Sequence, residues 1–325
     1  MINGWLVVLQ KTSALFLVMV TGWVAAKRGL WKPEASRTLS RFLIDLVAPC
    51  YVVAQFLRTI DGPTLLHSWY IPVLGFLVIA LGELVGLAAS PFVREPARRR
   101  TFVFLVSLTN WIYLPLPIAQ GLFGEAGVTT ILLMNIGCTA AIWTIGIATL
   151  NPGQTLRESA THILSNPGIL ATLAGLLLAL AVPPLRNGAP TLPFLHPLLN
   201  AADLLGLLMI PLSLLVIGAQ LGEQPLRALR PEPALWGVLA LRLAAAPLAA
   251  LALVRLLAAC GLPLPEVPRF TFLLVAAMPP AISCTLFTER YNGDSRLSSK
   301  AVFFGTFASL ATVPLYFRLV QSLPW

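Results

Sequence analysis

Residues 101–124 read TFVFLVSLTNWIYLPLPIAQGLFG, and residues 271–293 repeat the pattern as TFLLVAAMPPAISCTLFTERYNG. After a threonine, each stretch runs through apolar residues, meets prolines and polar side chains, and resumes toward a glycine followed by an acid, Glu125 or Asp294. Proline removes a backbone donor and clashes with the preceding turn, so each stretch predicts an apolar helix broken near its middle. Broken helices at matching positions in two halves of a membrane protein are typical of a transporter binding site.

The composition predicts a protein that crosses the membrane many times. Of 325 residues, 57% are hydrophobic and 11% are charged, with a mean hydropathy of +0.83. Soluble domains carry about 25% charged residues. The first apolar stretch, residues 6–26, has the length of a span and ends at Lys27 and Arg28 without a small-residue cleavage site, so it predicts a helix and not a signal peptide.

Ten apolar segments are long enough to span a bilayer, which needs about 20 residues per helix. The predicted spans are residues 6–26, 38–58, 69–90, 100–122, 128–149, 165–183, 199–221, 234–258, 269–290 and 299–320.

Lysine and arginine predict the orientation, because they favour cytoplasmic connections. The odd-numbered connections carry fifteen of these residues: Lys27, Arg28, Lys32, Arg37, Arg41, Arg94, Arg98, Arg99, Arg100, Arg157, Arg227, Arg230, Arg290, Arg296 and Lys300. The even-numbered connections and the C-terminal tail carry four: Arg58, Arg186, Arg269 and Arg318. We therefore expect a protein of the cell (inner) membrane with both termini outside the cytoplasm. This asymmetry explains the net charge of +9 without a nucleic-acid partner.

The order of the spans indicates an internal repeat. Spans two and seven each carry a proline, Pro49 and Pro211, and spans four and nine carry the broken pattern. Because five spans are an odd number, the second unit enters the membrane from the opposite side, as in inverted-repeat transporters. The predicted units are residues 1–150 and 165–325, joined by a cytoplasmic connector at residues 151–164.

The two breaks predict a substrate site. Freed backbone groups at mid-membrane are tolerated only inside protein or beside a wet cavity. Crossing breaks would direct two half-helix N-termini, each with about half a positive charge, toward one space that suits an anion. The candidate residues of the first break are Asn110, Tyr113, Pro115 and Pro117, and those of the second are Pro279, Pro280, Ser283 and Thr285.

Charged residues inside predicted spans are further candidates. Glu83 in span three and Arg242 in span eight lie at similar predicted depth, so we expect an ion pair that either locks the bundle or couples transport to a proton or sodium ion. Asn135 in span five is a weaker candidate, because the sequence does not reveal which way it faces. The scattered cysteines and the histidines in connections predict no metal site and no cofactor.

Several motifs resemble the auxin efflux carrier family, which includes bacterial carboxylate carriers and the plant PIN-type auxin exporters. Asn110 and Pro117 followed by LFG resemble its fourth-helix motif. Asn166-Pro167 opening span six, the stretch from Met278 to Asp294, and the final span with Thr306 and Pro314 are also similar, and the likeness covers nearly the whole chain.

The resemblance implies an all-α, ten-helix, inverted-repeat fold shared with bile-acid symporters and sodium/proton antiporters. Spans 1, 2, 6 and 7 would form a scaffold that is a homodimer through spans 2 and 7. Spans 3–5 and 8–10 would form a mobile, elevator-type transport domain. Asn110 aligns with the family's substrate-contacting asparagine, and Pro117 and Pro279 align with its crossover prolines. The implied substrate is a small organic anion, a carboxylate of auxin-like or simpler type.

Three alternatives remain beside an organic-anion transporter. A sodium/proton antiporter of related fold would use adjacent carboxylates at the crossing, and spans four, five and nine have none at mid-depth. A sensor built on the same fold would bind without transport. An intramembrane enzyme is disfavoured, because the histidines lie in connections and the buried acids lie far apart.

Overall fold

The computed structural model describes residues 4–153, 155–181, 195–223 and 232–323. Arg186, Arg227 and Arg230, which are part of the count behind the predicted orientation, lie outside these residues. Within the described ranges the fold is all helical, and the only extended pairing is an isolated antiparallel bridge between Thr109 and Pro280. The predicted all-α class is confirmed.

The helices follow one another along the chain with short connections. In chain order they are α1 (Gly4–Lys27), α2 (Pro33–Phe42), α3 (Ala48–Thr59), α4 (Gly62–His67), α5 (Ile71–Ala89), α6 (Pro96–Ser107), α7 (Pro115–Ala141), α8 (Ile147–Leu150), α9 (Leu156–Leu164), α10 (Pro167–Ala181), α11 (Leu195–Gly206), α12 (Met209–Glu223), α13 (Pro233–Ala240), α14 (Ala246–Ala259), α15 (Glu266–Ala276), α16 (Ser283–Arg290) and α17 (Ser295–Ser322). The π-helical turns Leu43–Val47, Ile142–Gly146 and Leu241–Ala245 continue α2 into α3, α7 into α8 and α13 into α14.

Six of these continuous helices are long and apolar enough to span a membrane, among the residues described. They are Pro33–Thr59, Gly62–Phe92, Pro115–Leu150, Pro197–Glu223, Pro233–Ala259 and Ser295–Ser322. A seventh span forms if α9 and α10, bent by 58° at a short break, count as one. The remaining predicted spans are residues 6–26, 100–122 and 269–290. The last two are interrupted, and α6, residues 115–123 before the turn at Gly124, α15 and α16 are each too short to cross alone.

The predicted turns after the broken helices are present in the structure. Gly124 has φ 59° and ψ −140°, so the resumed helix turns sharply just before Glu125. In the second stretch, Asp294 accepts a hydrogen bond from the backbone N–H of Leu297 at 2.9 Å and caps α17. A side-chain acceptor at this position satisfies one of the free N–H groups that begin a helix.

Glycines allow two pairs of helices to pack backbone against backbone. A Cβ on Gly218 of α12 would lie 2.7 Å from the carbonyl carbon of Met19 in α1, and one on Gly137 of α7 would lie 2.6 Å from the backbone nitrogen of Phe76 in α5. Small residues at such contacts are how membrane helices approach closely without a hydrophobic driving force. Each pair is therefore in close backbone contact.

A charged cluster joins the N-terminal ends of three helices. Arg98 of α6 and Lys300 of α17 both bind the carboxylate of Glu232 before α13, with the Lys300 Nζ 2.7 Å from Oε1. Arg98 also lies 3.8 Å from Asp294, whose backbone N–H donates to Thr101 at 2.8 Å. This cluster ties α6, α13 and α17 together at the end of the bundle that the basic residues predict to be cytoplasmic.

The cluster predicts a pH-dependent loss of stability. Partial burial raises the pKa of Glu232, but hydrogen bonds and charges from Lys300 and Arg98 lower it overall, below its ordinary value. A lowered folded pKa contributes stability above the unfolded value of about 4.3, and that stability is lost as pH falls through the folded pKa. The melting temperature of the wild type should therefore approach that of Glu232→Gln on acidification from pH 7 to pH 3. Glu125→Gln, which changes an exposed acid, should show no such convergence.

Candidate functional site

The two broken helices meet at their breaks, residues 108–114 and 277–282, which we name the crossover. The backbone N–H of Asn110 donates to the carbonyl of Pro279 at 2.8 Å, and that of Ala281 donates to the carbonyl of Leu108 at 3.2 Å. Together with the Thr109–Pro280 bridge, these bonds make a short antiparallel pair inside the protein. Each break thus supplies partners for backbone groups that the other leaves free.

The carbonyls at the end of α15 all have partners. Those of Leu273 and Leu274 accept from Ala277 N–H, and that of Val275 accepts from Met278 N–H. The hydroxyl of Thr109, which is fully buried, also donates to Val275 O at 2.8 Å. A residue of the first break therefore helps to end the helix of the second.

The prolines define where the helices resume. Pro115 is the first residue of α7 and Pro117 the third, and both are buried. The missing N–H costs no intrahelical bond in a first turn, but the rings prevent the helix from extending back toward Ser107. Pro279 and Pro280 lie in the extended second break, before α16.

Asn110 holds the first break in its turned shape. Its side chain is 4% exposed, and its Oδ1 accepts a hydrogen bond from the backbone N–H of Tyr113 at 3.1 Å. Its Nδ2 has no partner in the described part of the chain, so two N–H donors remain for a ligand. Tyr113 is half-buried, beside the beginning of α7.

Asn135, whose direction the sequence left open, supports the first break from α7. Its Oδ1 accepts from Trp111 Nε1 at 2.9 Å and from the Thr139 hydroxyl at 3.3 Å, and the side chain is 6% exposed. An acceptor that binds two donors fixes the indole of Trp111. Asn135 therefore contacts the first break through Trp111, the residue that follows Asn110.

The second break ends at α16, of which Ser283 is the first residue. The position before it, Ile282, provides no side-chain cap, and neither does Leu114 before α7. Thr285 donates its hydroxyl to the carbonyl of Ile282 at 2.9 Å. Ser283 and Thr285 are both half-buried, so the N-terminus of α16 is not sealed inside the core.

The predicted ion pair between Glu83 and Arg242 is wrong as a direct contact. Both side chains are buried, 7% and 0% exposed, yet the described residues contain no bridge between them within 4.0 Å. The prediction matched the two charges by depth. It was wrong because a broken helix has free carbonyls that a guanidinium can bind instead of a carboxylate. Glu83 instead accepts a hydrogen bond from Thr149 through Oε1, and its buried Oε2 has no partner among the described residues.

Arg242 binds the ends of both interrupted helices. Its Nη1 donates to the carbonyl of Val106 at 2.9 Å and lies 3.4 Å from that of Ser107, at the end of α6. Its Nη2 donates to the carbonyl of Ala276, the last residue of α15. One buried cation therefore contacts two helix C-termini that are far apart in sequence.

A small cleft beside the crossover is lined by apolar side chains from α1, both breaks, α7 and α17, together with one serine. Its lining residues are Leu15, Phe16, Leu114, Ile118, Met278, Ser309 and Val313. None of them was predicted as a site residue, because apolar side chains in spans carry no functional signal in a sequence. The cleft therefore places an apolar surface next to the polar groups of the crossover.

An all-helical membrane protein with two interrupted helices that meet at prolines within their spans has an architecture typical of membrane transport proteins. The sequence matches the family described as membrane transport protein over residues 7–165 and residues 154–317. The chain therefore belongs to this family, which is the auxin efflux carrier family that its motifs resemble.

Two archaeal relatives match over nearly their full lengths. An uncharacterised transporter of Methanocaldococcus jannaschii is 23% identical over 308 residues, covering 93% of this chain and 95% of the relative. An uncharacterised transporter of Methanothermobacter thermautotrophicus is 25% identical over 311 residues, covering 94% of this chain and 95% of the relative.

Proposed function

We propose that this protein is a secondary active transporter that moves a small organic anion, a carboxylate, across the cell membrane. The observation that carries the proposal is the side chain of Asn110 in the break that precedes α7, because its Nδ2 has no hydrogen-bond partner among the described residues. Neither α7 nor α16 has a side-chain cap, and helix N-termini attract anions through their free N–H groups and dipoles. Tyr113, Ser283 and Thr285 add polar groups, and the prolines keep both helices from closing the breaks.

The proposed architecture is ten spans in two inverted repeats, residues 1–150 and 165–325, with a connector between them. The spans that include α1, α3, α10 and α12 form a scaffold that dimerises through spans two and seven, and the remaining spans move as an elevator. The glycine contacts support this division, because α1 pairs with α12 and α5 pairs with α7, each within one proposed domain. The cluster around Glu232 likewise joins spans of the mobile domain only.

Glu83 is the proposed coupling group. Its buried Oε2 has no partner, and Thr149 supplies one hydrogen bond to the other oxygen. A buried carboxylate without a counter-charge favours binding a proton or a sodium ion. Glu83 lies on α5 and not in either break, so we assign it to coupling and not to substrate contact.

Transport by purified protein in liposomes tests the function. Stability shifts with monocarboxylates, dicarboxylates and indole acids, measured with and without sodium and at several pH values, would select a substrate for flux measurements. We expect carboxylate uptake that follows an imposed proton or sodium gradient. Binding without flux would instead indicate a sensor, and gradient-driven sodium/proton exchange without carboxylate would indicate an antiporter.

Native Cys260 tests the orientation. It is exposed after α14, in a connection that the basic residues predict to be outside. A membrane-impermeant maleimide added to intact cells should modify Cys260, and should not modify Arg99→Cys in a Cys260→Ser background until the membrane is opened. Labelling of both sites in intact cells contradicts the proposed topology.

A further inference from the structure

We propose that Arg242 determines the charge selectivity of the crossover, by neutralising the C-termini of the two interrupted helices. That the ligand is an anion rests on the proposed function. The way in which Arg242 would select for charge rests on the hydrogen bonds of its guanidinium. Arg242 is a positioning residue in this account, because it contacts backbone carbonyls and not the ligand.

Four helix ends meet at the crossover. The C-termini of α6 and α15 each carry about half a negative charge, and the N-termini of α7 and α16 each carry about half a positive charge. These partial charges sum to about zero, so the helix ends alone would favour neither an anion nor a cation. The guanidinium of Arg242 adds a full positive charge to this balance.

The hydrogen bonds place that charge on the negative ends. Nη1 donates to the backbone carbonyls of Val106 and Ser107 in α6, and Nη2 donates to the backbone carbonyl of Ala276 in α15. No carboxylate among the described residues lies within 4.0 Å of the guanidinium. The negative helix ends are therefore its counter-charge, and the positive ends of α7 and α16 are left to attract an anionic ligand.

The local backbone supports a specific placement of Arg242. It lies in the π-helical turn Leu241–Ala245, within an otherwise α-helical span. Such wide turns are uncommon and often occur at functional sites. Because Arg242 is 0% exposed and replaces water as the partner of three carbonyls, a neutral residue cannot substitute for it without leaving acceptors unpaired.

Two native thiols can show, without any substrate, whether Arg242 holds the C-termini of α6 and α15 together. Cys284, the second residue of α16, is buried, and its backbone N–H donates to the carbonyl of Ala281 in the second break at 3.0 Å, whereas the buried thiol of Cys138 in α7 donates to the carbonyl of Gly75. In a Cys50→Ser/Cys260→Ser background, Arg242→Met should raise maleimide modification of Cys284 at least tenfold relative to Cys138. If Arg242→Met misfolds and both thiols react, Arg242→Lys decides: Cys284 should be several-fold more reactive with Cys138 still protected. Unchanged protection of Cys284 in a folded variant would show that Arg242 does not hold the helix C-termini, and it would leave the proposed transport function untouched.

A matched pair of ligands tests the selectivity. Phenylacetate and phenylacetamide have nearly the same shape and differ in charge, so the ratio of their dissociation constants isolates the electrostatic effect. We expect wild type to favour phenylacetate at least tenfold, Arg242→Gln to bind both about equally, and Arg242→Lys to restore most of the preference. A merely structural role would weaken both ligands together, so an unchanged ratio in Arg242→Gln refutes the proposal. If wild type binds neither ligand, the ratio is measured with the carboxylate selected by the stability screen and its amide, and an unchanged ratio in Arg242→Gln refutes the proposal in the same way.

Discussion

Gly137→Val should abolish the folded protein. A Cβ at this position lies against the carbonyl of Pro72 and 2.6 Å from the backbone nitrogen of Phe76, so α5 and α7 must separate to admit any side chain. Overpacking a well-packed core typically costs about 1–3 kcal/mol and sometimes more. Here the obstacle is backbone on a facing helix, which cannot change rotamer, and we expect a cost above that range.

The measurement is size-exclusion chromatography of detergent-solubilised protein, followed by melting temperature for any monodisperse fraction. Gly137→Val should leave little monodisperse protein, whereas Gly62→Val should resemble wild type, because nothing lies within 4 Å of a Cβ there. A stable, monodisperse Gly137→Val protein would show that α5 and α7 do not pack through their backbones.

The all-helical fold and the position of both breaks could be predicted from sequence, because their signals are local. Apolar runs give the helices, and Pro115 and Pro117 together with Pro279 and Pro280 mark where helix cannot continue. Gly124 before Glu125 marks a turn for the same reason, whereas before Asp294 the residue in the left-handed conformation is Asn292 and not Gly293. Backbone conformation at these positions depends on the residues themselves and little on the rest of the fold.

The partners of the buried polar groups could not be predicted, because they depend on contacts distant in sequence. Arg242 was expected to bind Glu83, the one opposite charge at similar depth, but it binds backbone carbonyls, which every residue has and no composition reveals. The role of Asn135 depends on Trp111, 24 positions away. A pattern can show that a polar residue lies in a span, and only the packing shows what it faces.

Asn110→Asp should remove substrate binding while preserving the fold, and Asn110→Ala should weaken both. The wild-type side chain has two functions in this structure: its Oδ1 accepts from Tyr113 N–H, and its Nδ2 is free to donate to a carboxylate. Aspartate keeps the acceptor and so keeps the turn, but it replaces the donor with a negatively charged oxygen. Alanine removes acceptor and donor together.

The two variants separate these functions quantitatively. A hydrogen bond to a charged group contributes about 1.5–3 kcal/mol, so Asn110→Ala should raise the dissociation constant of a carboxylate substrate about tenfold to a hundredfold. Loss of the backbone acceptor should also lower its stability, by about 1 kcal/mol on the scale of helix caps. Asn110→Asp should bind more weakly than Asn110→Ala, because the positive N-termini of α7 and α16 keep the new carboxylate ionised and it repels the anion. The same favourable charge on the helix ends should keep its melting temperature close to that of wild type.

The comparison uses titration of the substrate found in the stability screen, with Asn151→Ala, outside the crossover, as a control expected to bind and melt like wild type. Tight binding by Asn110→Asp would mean that the amide does not face the anion and that Asn110 serves only the turn. Weak binding by Asn110→Asp with an unchanged melting temperature is the result that a substrate contact at the first break requires. A purely structural role predicts the reverse order, with Asn110→Ala the weaker binder, because aspartate preserves the bond to Tyr113 on which such a role depends.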